Sequence, residues 1–277
     1  MKQKGDQEME NRRIVKYDNQ LNNLSFRGTG ITDNLLKLFF TLVSKVRDQG
    51  SSQVEITFEE MRKLTGEKRH FSDSEYKAVV ADLYHVLLDL KLSYDSGPFF
   101  GEFNIFTGYE GRLDEGKIVV QATAPAQHLF NGLEANFTRF ELEEFISLPG
   151  IYPKNLYRLL KGFRHMGHYS VLLKDFRNFL DIPDSYKTKE ITRRVIDPSV
   201  DVLKKNVPEF SDLRYEYSFR GRKAVRVMFT WTPETRYKEV KQAVIEMKKA
   251  PREEKILKEN NNYLDETDET VAMNLPF

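Results

Sequence analysis

Tyr169-Ser170-Val171-Leu172-Leu173-Lys174-Asp175-Phe176-Arg177-Asn178-Phe179-Leu180 opens the stretch, 169–231, whose reading decides the fold. It continues through Lys187-Thr188-Lys189-Glu190-Ile191-Thr192-Arg193-Arg194-Val195-Ile196 and closes around a turn at Arg220-Gly221-Arg222-Lys223. The pattern predicts a short strand over 171–173, a helix over 174–180, a break at Asp181-Ile182-Pro183, a long basic helix and a basic hairpin. That order is the one a winged helix-turn-helix needs. One helix enters a major groove while the hairpin wing holds the nucleic-acid backbone.

The long helix is read from its wheel. Ile191, Val195, Val202 and Leu203 fall near one side and face a core. Lys189 and Arg193 lie roughly opposite, flanked by Thr192 and Arg194, and present cations and a hydroxyl to phosphates and base edges. Pro198 leaves two arrangements open: a kink in one long helix, or a second helix capped by Asp197 with Pro198 at its first position. In the hairpin, Leu213, Tyr215, Tyr217 and Phe219 alternate with polar residues, as do Val225, Val227, Phe229 and Trp231. One face is therefore expected to be apolar, with Arg220, Arg222 and Lys223 at the tip around a glycine. A solvated hairpin with ordinary surface charge is the plainer reading of the hairpin alone. A basic helix followed by a basic wing favours nucleic acid.

A chain of 277 residues, 40% hydrophobic and 31% charged, has enough material for one large core or two ordinary ones. No apolar run approaches the roughly 18–20 residues of a membrane span. Residues 1–11 have no signal-peptide core and read as a disordered leader. The absence of cysteine excludes disulfides, thiol catalysis and Cys-ligated zinc, and suits a reducing cytoplasm. The net charge of +1 hides an asymmetry: 24–139 hold 13 Lys+Arg against 16 Asp+Glu, whereas 150–232 hold 17 against 9. For a basic C-terminal half, nucleic acid is the first partner to consider.

From the N-terminus, 14–26 reads as a strand or extended arm around Tyr17-Asp18-Asn19-Gln20-Leu21-Asn22. Thr32 or Asp33 caps a helix carried by Leu35, Leu36, Leu38, Phe39, Leu42, Val43 and Val46, and Gly50-Ser51-Ser52 breaks it. Val54-Glu55-Ile56-Thr57 is a short strand; Thr57 caps a helix over 58–64, with Glu60 completing a capping box and Gly66 ending it. A helix is expected from Ser72 or Asp73 through Leu92, then strands at 103–107 and 117–123, then a turn or helix over 124–133. Residues 137–232 repeat the plan, with Thr138 capping a helix over 140–147 and a second helix over 152–163. The segment from Ile56 to Leu64, set beside that from Leu172 to Leu180, matches in pattern more than in identity. The expected fold class is α+β, two tandem winged-helix domains with a β-hairpin wing each. The divisions are 1–13 leader, 14–133 first domain, 134–232 second domain, and 233–277 a charged helix over 233–250 with a disordered acidic tail.

Phe137-Thr138-Arg139-Phe140-Glu141-Leu142 leads into Leu156-Tyr157-Arg158-Leu159-Leu160-Lys161; further on stand Arg193-Arg194-Val195-Ile196-Asp197-Pro198 and Gly221-Arg222-Lys223-Ala224-Val225. In these segments the chain resembles the initiator replication proteins of iteron-controlled bacterial plasmids, and Asn19-Gln20-Leu21 is similar to that family's opening motif. The resemblance covers 14–231. It implies a cytoplasmic bacterial protein that binds direct repeats in double-stranded DNA at a plasmid origin and helps melt an adjacent AT-rich segment. It further implies recruitment of the host initiator and helicase, a monomer–dimer equilibrium, and dimers that repress the protein's own promoter. The family puts the main base contacts in the C-terminal domain, and dimer and auxiliary DNA contacts in the N-terminal one. Carried over by position, Lys187, Lys189, Thr192, Arg193 and Arg194 face the groove, while Arg220, Arg222 and Lys223 are wing contacts. Arg193 is then the candidate for a guanine and the wing cations for phosphate. The helix from 72 to 92 sets Asp73, Glu75, Asp82 and Asp89 against Lys77 and Lys91, a poor surface for DNA that suits a structural or dimer role.

An enzyme is the first rival reading. Rolling-circle nucleases use a His-hydrophobe-His metal pair, but in His165-Met166-Gly167-His168-Tyr169 the two histidines are three apart at a helix end. Walker-type loops, nucleophile elbows and zinc-ligand arrays are also missing from the sequence. No catalytic residue, metal or cofactor is therefore expected. A winged-helix transcriptional regulator without a replication role is the second rival, and a purely structural or interaction protein is the third.

Overall fold

The computed structural model describes residues 13–23, 30–46, 53–66, 72–95, 100–133 and 137–234. The expected leader at 1–11, the break at Gly50-Ser51-Ser52, nearly all of the expected helix over 233–250 and the acidic tail lie outside them. Strand β1 (Ile14–Asp18) buries Val15 and Tyr17 and passes into a 3-10 turn, Asn19–Asn23, begun by Asp18 Oδ1 accepting the Gln20 amide at 2.8 Å. At helix α1 (Asp33–Val46) the cap is Thr32, whose hydroxyl accepts the Leu35 amide at 3.3 Å. Leu36, Phe39, Phe40, Leu42 and Val43 have no exposed surface, so α1 is the central helix of the first half.

Strand β2 (Gln53–Thr57) alternates buried and exposed residues, and helix α2 (Phe58–Thr65) starts on the Thr57–Glu60 capping box and ends at Gly66 with φ 69°. Helix α3 (Asp73–Leu88) opens on a second box, Ser72 with Glu75. It stops short of Leu92, because Leu88-Asp89-Leu90-Lys91-Leu92-Ser93 also alternates and the chain takes the period of a strand there. Strand β3 (Lys91–Asp95) pairs with β4 (Phe100–Asn104), and Asn104 Nδ2 donates to the Leu88 carbonyl at the helix end. Strands β5 (Phe106–Arg112) and β6 (Lys117–Ala122) form the first wing, so the strand expected at 103–107 is divided at Ile105. Helix α4 (Ala124–Phe130) follows, capped by Thr123.

Thr138 does not cap a helix. Phe137–Glu141 is strand β7, antiparallel to β1, with Ile14 opposite Glu141 and Asp18 opposite Phe137. Thr138 and Phe140 point inward in alternation, and this period of two prevails over the capping signal. The pairing spans the junction expected at 133/134. Helices α5 (Leu142–Ser147) and α6 (Ile151–Lys161) follow, then strand β8 (His168–Leu172) and helix α7 (Leu173–Leu180). Next come helix α8 (Thr188–Ile191), a π turn (Thr192–Ile196), helix α9 (Asp197–Asn206), a 3-10 turn (Pro208–Phe210), and strands β9 (Arg214–Arg220) and β10 (Lys223–Thr230).

The two halves share a topology. Sheet order is β2-β6-β5 in the first and β8-β10-β9 in the second, each short strand pairing with the last strand of its wing. The fold is α+β with two tandem winged helices. Thr57 and Leu172 are the N-caps of equally long helices. The segments set side by side in sequence are therefore one residue out; with the caps aligned, Phe58 matches Leu173 and Met61 matches Phe176.

The described residues up to Pro233 form one compact unit with a continuous apolar core, and α6 is the element both halves share. Three of its cations, Lys154, Arg158 and Lys161, are buried. Arg158 donates from Nε to Asn155 Oδ1 (2.8 Å), from Nη1 to the Leu21 and Asn22 carbonyls (3.3 Å each), and from Nη2 to the Phe179 carbonyl of α7 (3.4 Å). Tyr17 donates to Asn22 Oδ1 (2.9 Å), Asn22 Nδ2 to Thr138 Oγ1 (2.7 Å), and Thr138 to Asn19 Oδ1 (2.7 Å). Gly162 makes room for this network, since a Cβ there would lie 3.0 Å from both Asn22 Nδ2 and Thr138 Oγ1. Lys154 reaches Asp33 Oδ1 of α1 at 2.6 Å, and Lys161 reaches Glu209 Oε1 at 3.1 Å. Burial pushes the Lys154 ammonium down. Burial alone would raise Asp33, but its hydrogen bonds to Lys154 and Lys37 outweigh that and hold it below the usual carboxylate range.

Arg158→Met should destabilise the chain by about 3–5 kcal/mol, because the buried acceptors Asn155 Oδ1 and the Leu21 and Asn22 carbonyls lose a donor that water cannot replace. Urea denaturation measures this; an unchanged midpoint would show that the tie does not hold the halves together.

Candidate nucleic-acid interface

The turn between α7 and α8 is built by backbone capture. Asp181 takes φ 54°, a left-handed conformation that a short polar side chain tolerates, and the Ile182 amide returns to the Arg177 carbonyl at 2.9 Å. The Arg177 guanidinium donates to the Pro183 carbonyl (3.1 Å) and to that of Tyr186. Glu190 then accepts the Lys187 amide at 2.9 Å and starts the helix.

Of the two arrangements expected at Pro198, the second, with Asp197 as a cap, does not occur, because Asp197 is itself helical at φ −54° and ψ −53°. The helix runs on from α8 through the π turn into α9, with the Asp197 amide donating to the Thr192 carbonyl five residues back. In a regular α-helix the Pro198 ring would press on the Arg194 carbonyl and leave it without a donor. The wider turn takes up that conflict. It also sets the spacing of two bonds to the wing: Tyr215 donates to Asp197 Oδ1 (2.5 Å), and the Tyr217 and Thr192 hydroxyls lie 2.9 Å apart. Tyrosines two apart on β9 thus hold helix residues five apart. Burial raises the pKa of both tyrosines, with Asp197 adding to the rise at Tyr215.

Lys187, Lys189, Arg193 and Arg194 are exposed, and Arg193 has no hydrogen-bond or ion-pair partner among the described residues. Arg194 is oriented by Tyr186, its guanidinium carbon 5.1 Å from the ring centroid and Nη1 3.4 Å from the hydroxyl. Thr192 is half-buried, its hydroxyl shared between Tyr217 and the Thr188 carbonyl. The structure therefore leaves four of the five helix candidates open to solvent and turns Thr192 toward the wing.

In the wing, Gly221 takes φ 60° in a two-residue turn, and Arg220, Arg222 and Lys223 are exposed around it. The apolar face departs from simple alternation. The register shifts between Ala224 and Arg226, so Ala224 opposes Phe219 and is buried, whereas Val225 is only half-buried. Phe219, expected on the apolar face, is 63% exposed. With Thr188, Arg220, Arg222, Lys223 and Ala224 it lines a cleft of about 440 Å³ between the helix start and the wing tip. Sequence periodicity missed this.

The first wing differs electrostatically. Arg112 pairs with Glu110 (2.8 Å) and Glu115 (3.4 Å), and Lys117 with Glu55 (3.0 Å) and Glu115 (2.5 Å). Arg220, Arg222 and Lys223 have no such carboxylates among the described residues. His165 and His168 flank a turn whose Gly167 (φ 71°) lies against the Trp231 carbonyl, where a Cβ would come within 2.8 Å. Among the described residues no group of three His, Cys, Asp or Glu is arranged to hold a metal, and no helix is long and apolar enough to cross a membrane.

Residues 14–161 match the family described as Initiator Replication protein, WH1, and residues 172–231 match that described as Initiator Rep protein, WH2. "Probable replication protein rep" of Bifidobacterium longum (strain NCC 2705) is 28% identical over 224 residues, 80% of this chain and 73% of that protein. The crystal structure of Pi initiator protein in complex with iteron DNA aligns with TM-score 0.60 at 16% identity, over 81% of this chain and 98% of that one. That likeness is one of fold.

Tyr215→Phe should lower stability by about 1 kcal/mol through loss of the bond to Asp197. Thermal unfolding of the purified variant checks it, and a melting temperature equal to wild type would show that the wing strand does not hold the helix.

Proposed function

The chain belongs to the initiator replication proteins of plasmids, and on that premise we propose that it binds direct repeats in double-stranded DNA at a plasmid origin. The observation that carries this reading is the set of exposed cations without carboxylate partners on the α8 side and on the second wing, tied into one body by Tyr215 and Tyr217. In this reading Arg193 reads a guanine edge. Lys187, Lys189 and Arg194 line the groove with Thr192 bordering them, and Arg220, Arg222 and Lys223 hold phosphates. The C-terminal winged helix makes the main DNA contacts. The N-terminal one, with Asp73, Glu75 and Asp82 exposed on α3 and its wing cations neutralised, serves dimerisation and auxiliary contacts. Family membership supports the remaining steps: melting of an adjacent AT-rich tract, recruitment of the host initiator and helicase, and repression of the protein's own promoter in the cytoplasm. The protein acts by binding, without a catalytic group, metal or cofactor.

A footprint of the purified chain on the DNA flanking its own gene, at physiological salt with competitor DNA, tests this. Evenly phased protection of direct repeats is expected. Protection confined to an inverted repeat over the promoter would make the protein a regulator instead. On the protected segment, Arg193→Ala should cost about 1–3 kcal/mol and relax preference at one base pair. Arg222→Ala should weaken binding to every sequence and lower the salt slope by about one. Equal losses by both variants on specific and random duplexes would refute the division of roles.

A further inference from the structure

Strand β9 stands three aromatic rings on one face at alternate positions: Tyr215, Tyr217 and Phe219, with successive centroids 6.0 and 6.3 Å apart. The first two rungs are closed by the helix, Tyr215 on Asp197 and Tyr217 on Thr192. The helix begins at Thr188, so the third ring overhangs its first turn and is left 63% exposed at the cleft. Phenylalanine has no polar tip to turn to the water there. Three cations without carboxylate partners, Arg220, Arg222 and Lys223, line the same cleft. A rigid apolar ring among free cations fits a surface that is apolar between two anionic rails. The minor groove of duplex DNA is such a surface, with deoxyribose walls and base edges between two lines of phosphate.

We propose that Phe219 is a DNA-contacting residue, the wing's apolar wedge. It seats on deoxyribose and base edges of the minor groove while Arg220, Arg222 and Lys223 take the flanking phosphates. The inference rests on the DNA-binding reading above and extends it from charge to shape. The ladder gives it a specific role. Tyr217 and Tyr215 tie the strand to the π turn, so the ring sits at a set distance from Arg193, and a groove contact and a wedge contact are made in one register. Being apolar, the wedge releases no counterions, and its share of the affinity is independent of salt, unlike that of its neighbours.

The test uses the full chain and two fluorescent duplexes: the segment protected in the footprint, and a random sequence of equal length, each titrated across a salt series by anisotropy. Phe219→Ala, which removes an exposed ring, should melt with the wild type and bind the protected duplex about tenfold more weakly. The slope of log affinity against log salt should be unchanged, whereas Arg222→Ala should lower that slope. Unchanged affinity in Phe219→Ala would overturn the inference. So would an affinity loss accompanied by the shallower slope of Arg222→Ala, which would show that the ring only props the cations. Failure of the wild-type chain to prefer the protected duplex would overturn the DNA reading itself, and it is seen before any variant is made.

Discussion

A guanidinium with no exposed surface must find every donor a partner inside the protein, and Arg158 does so by drawing together segments far apart in the chain. Its acceptors are the 3-10 turn after β1, its own helix, and the end of α7. The opening strand is thereby bound to the helix-turn-helix of the second half. Lys154 and Lys161 extend the same principle along α6, toward α1 and toward the 3-10 turn before β9. Ion pairs of this kind add little net stability compared with an apolar core, but each is strongly unfavourable to break. They therefore specify which surfaces meet. The two winged helices are not beads on a linker; they are docked through a shared helix.

The relation between the helix carrying the π turn and the second wing is held by a second polar device. The π turn would be an irregularity in an isolated helix. Here it accommodates Pro198 and, through its five-residue period, brings Thr192 and Asp197 to two tyrosines of one strand. The exposed cations of the α8 segment and of the wing tip thus belong to one tied unit, which on the proposed reading suits recognition of a repeated site in a constant register.

Charge is distributed with the same economy. The 17 Lys and Arg of 150–232 include Lys154, Arg158 and Lys161, which are internal and offer nothing to a ligand. The exposed cations that remain include those of the α8 segment and the wing tip, together with Lys174 on α7 and Lys204 and Lys205 on α9. The first half builds the same hairpin topology but returns its wing cations to Glu55, Glu110 and Glu115. One architecture thus carries two different pairings of charge, and on the proposed reading this distinguishes a surface for DNA from one for other contacts.

Local chemistry alone determined much of this protein. The Thr57–Glu60 capping box, the Gly66 stop, the strand–helix–break–helix–hairpin order of 169–231 and the cationic tip around Gly221 are all written within a few residues, and periodicity or capping reads them directly. Tertiary structure decided the rest, wherever two local signals competed or a partner lay far away. Residues 88–93 satisfy both a helix and a strand, and pairing with β4 selects the strand. Thr138 looks like a cap until β1, more than a hundred residues earlier, makes it the inward face of a sheet. The bulge at Val225, the exposure of Phe219 and the burial of three cations on α6 depend on where a neighbouring element ends or what lies opposite it. A side chain's identity states what it can bond to; only the folded chain states what is within reach.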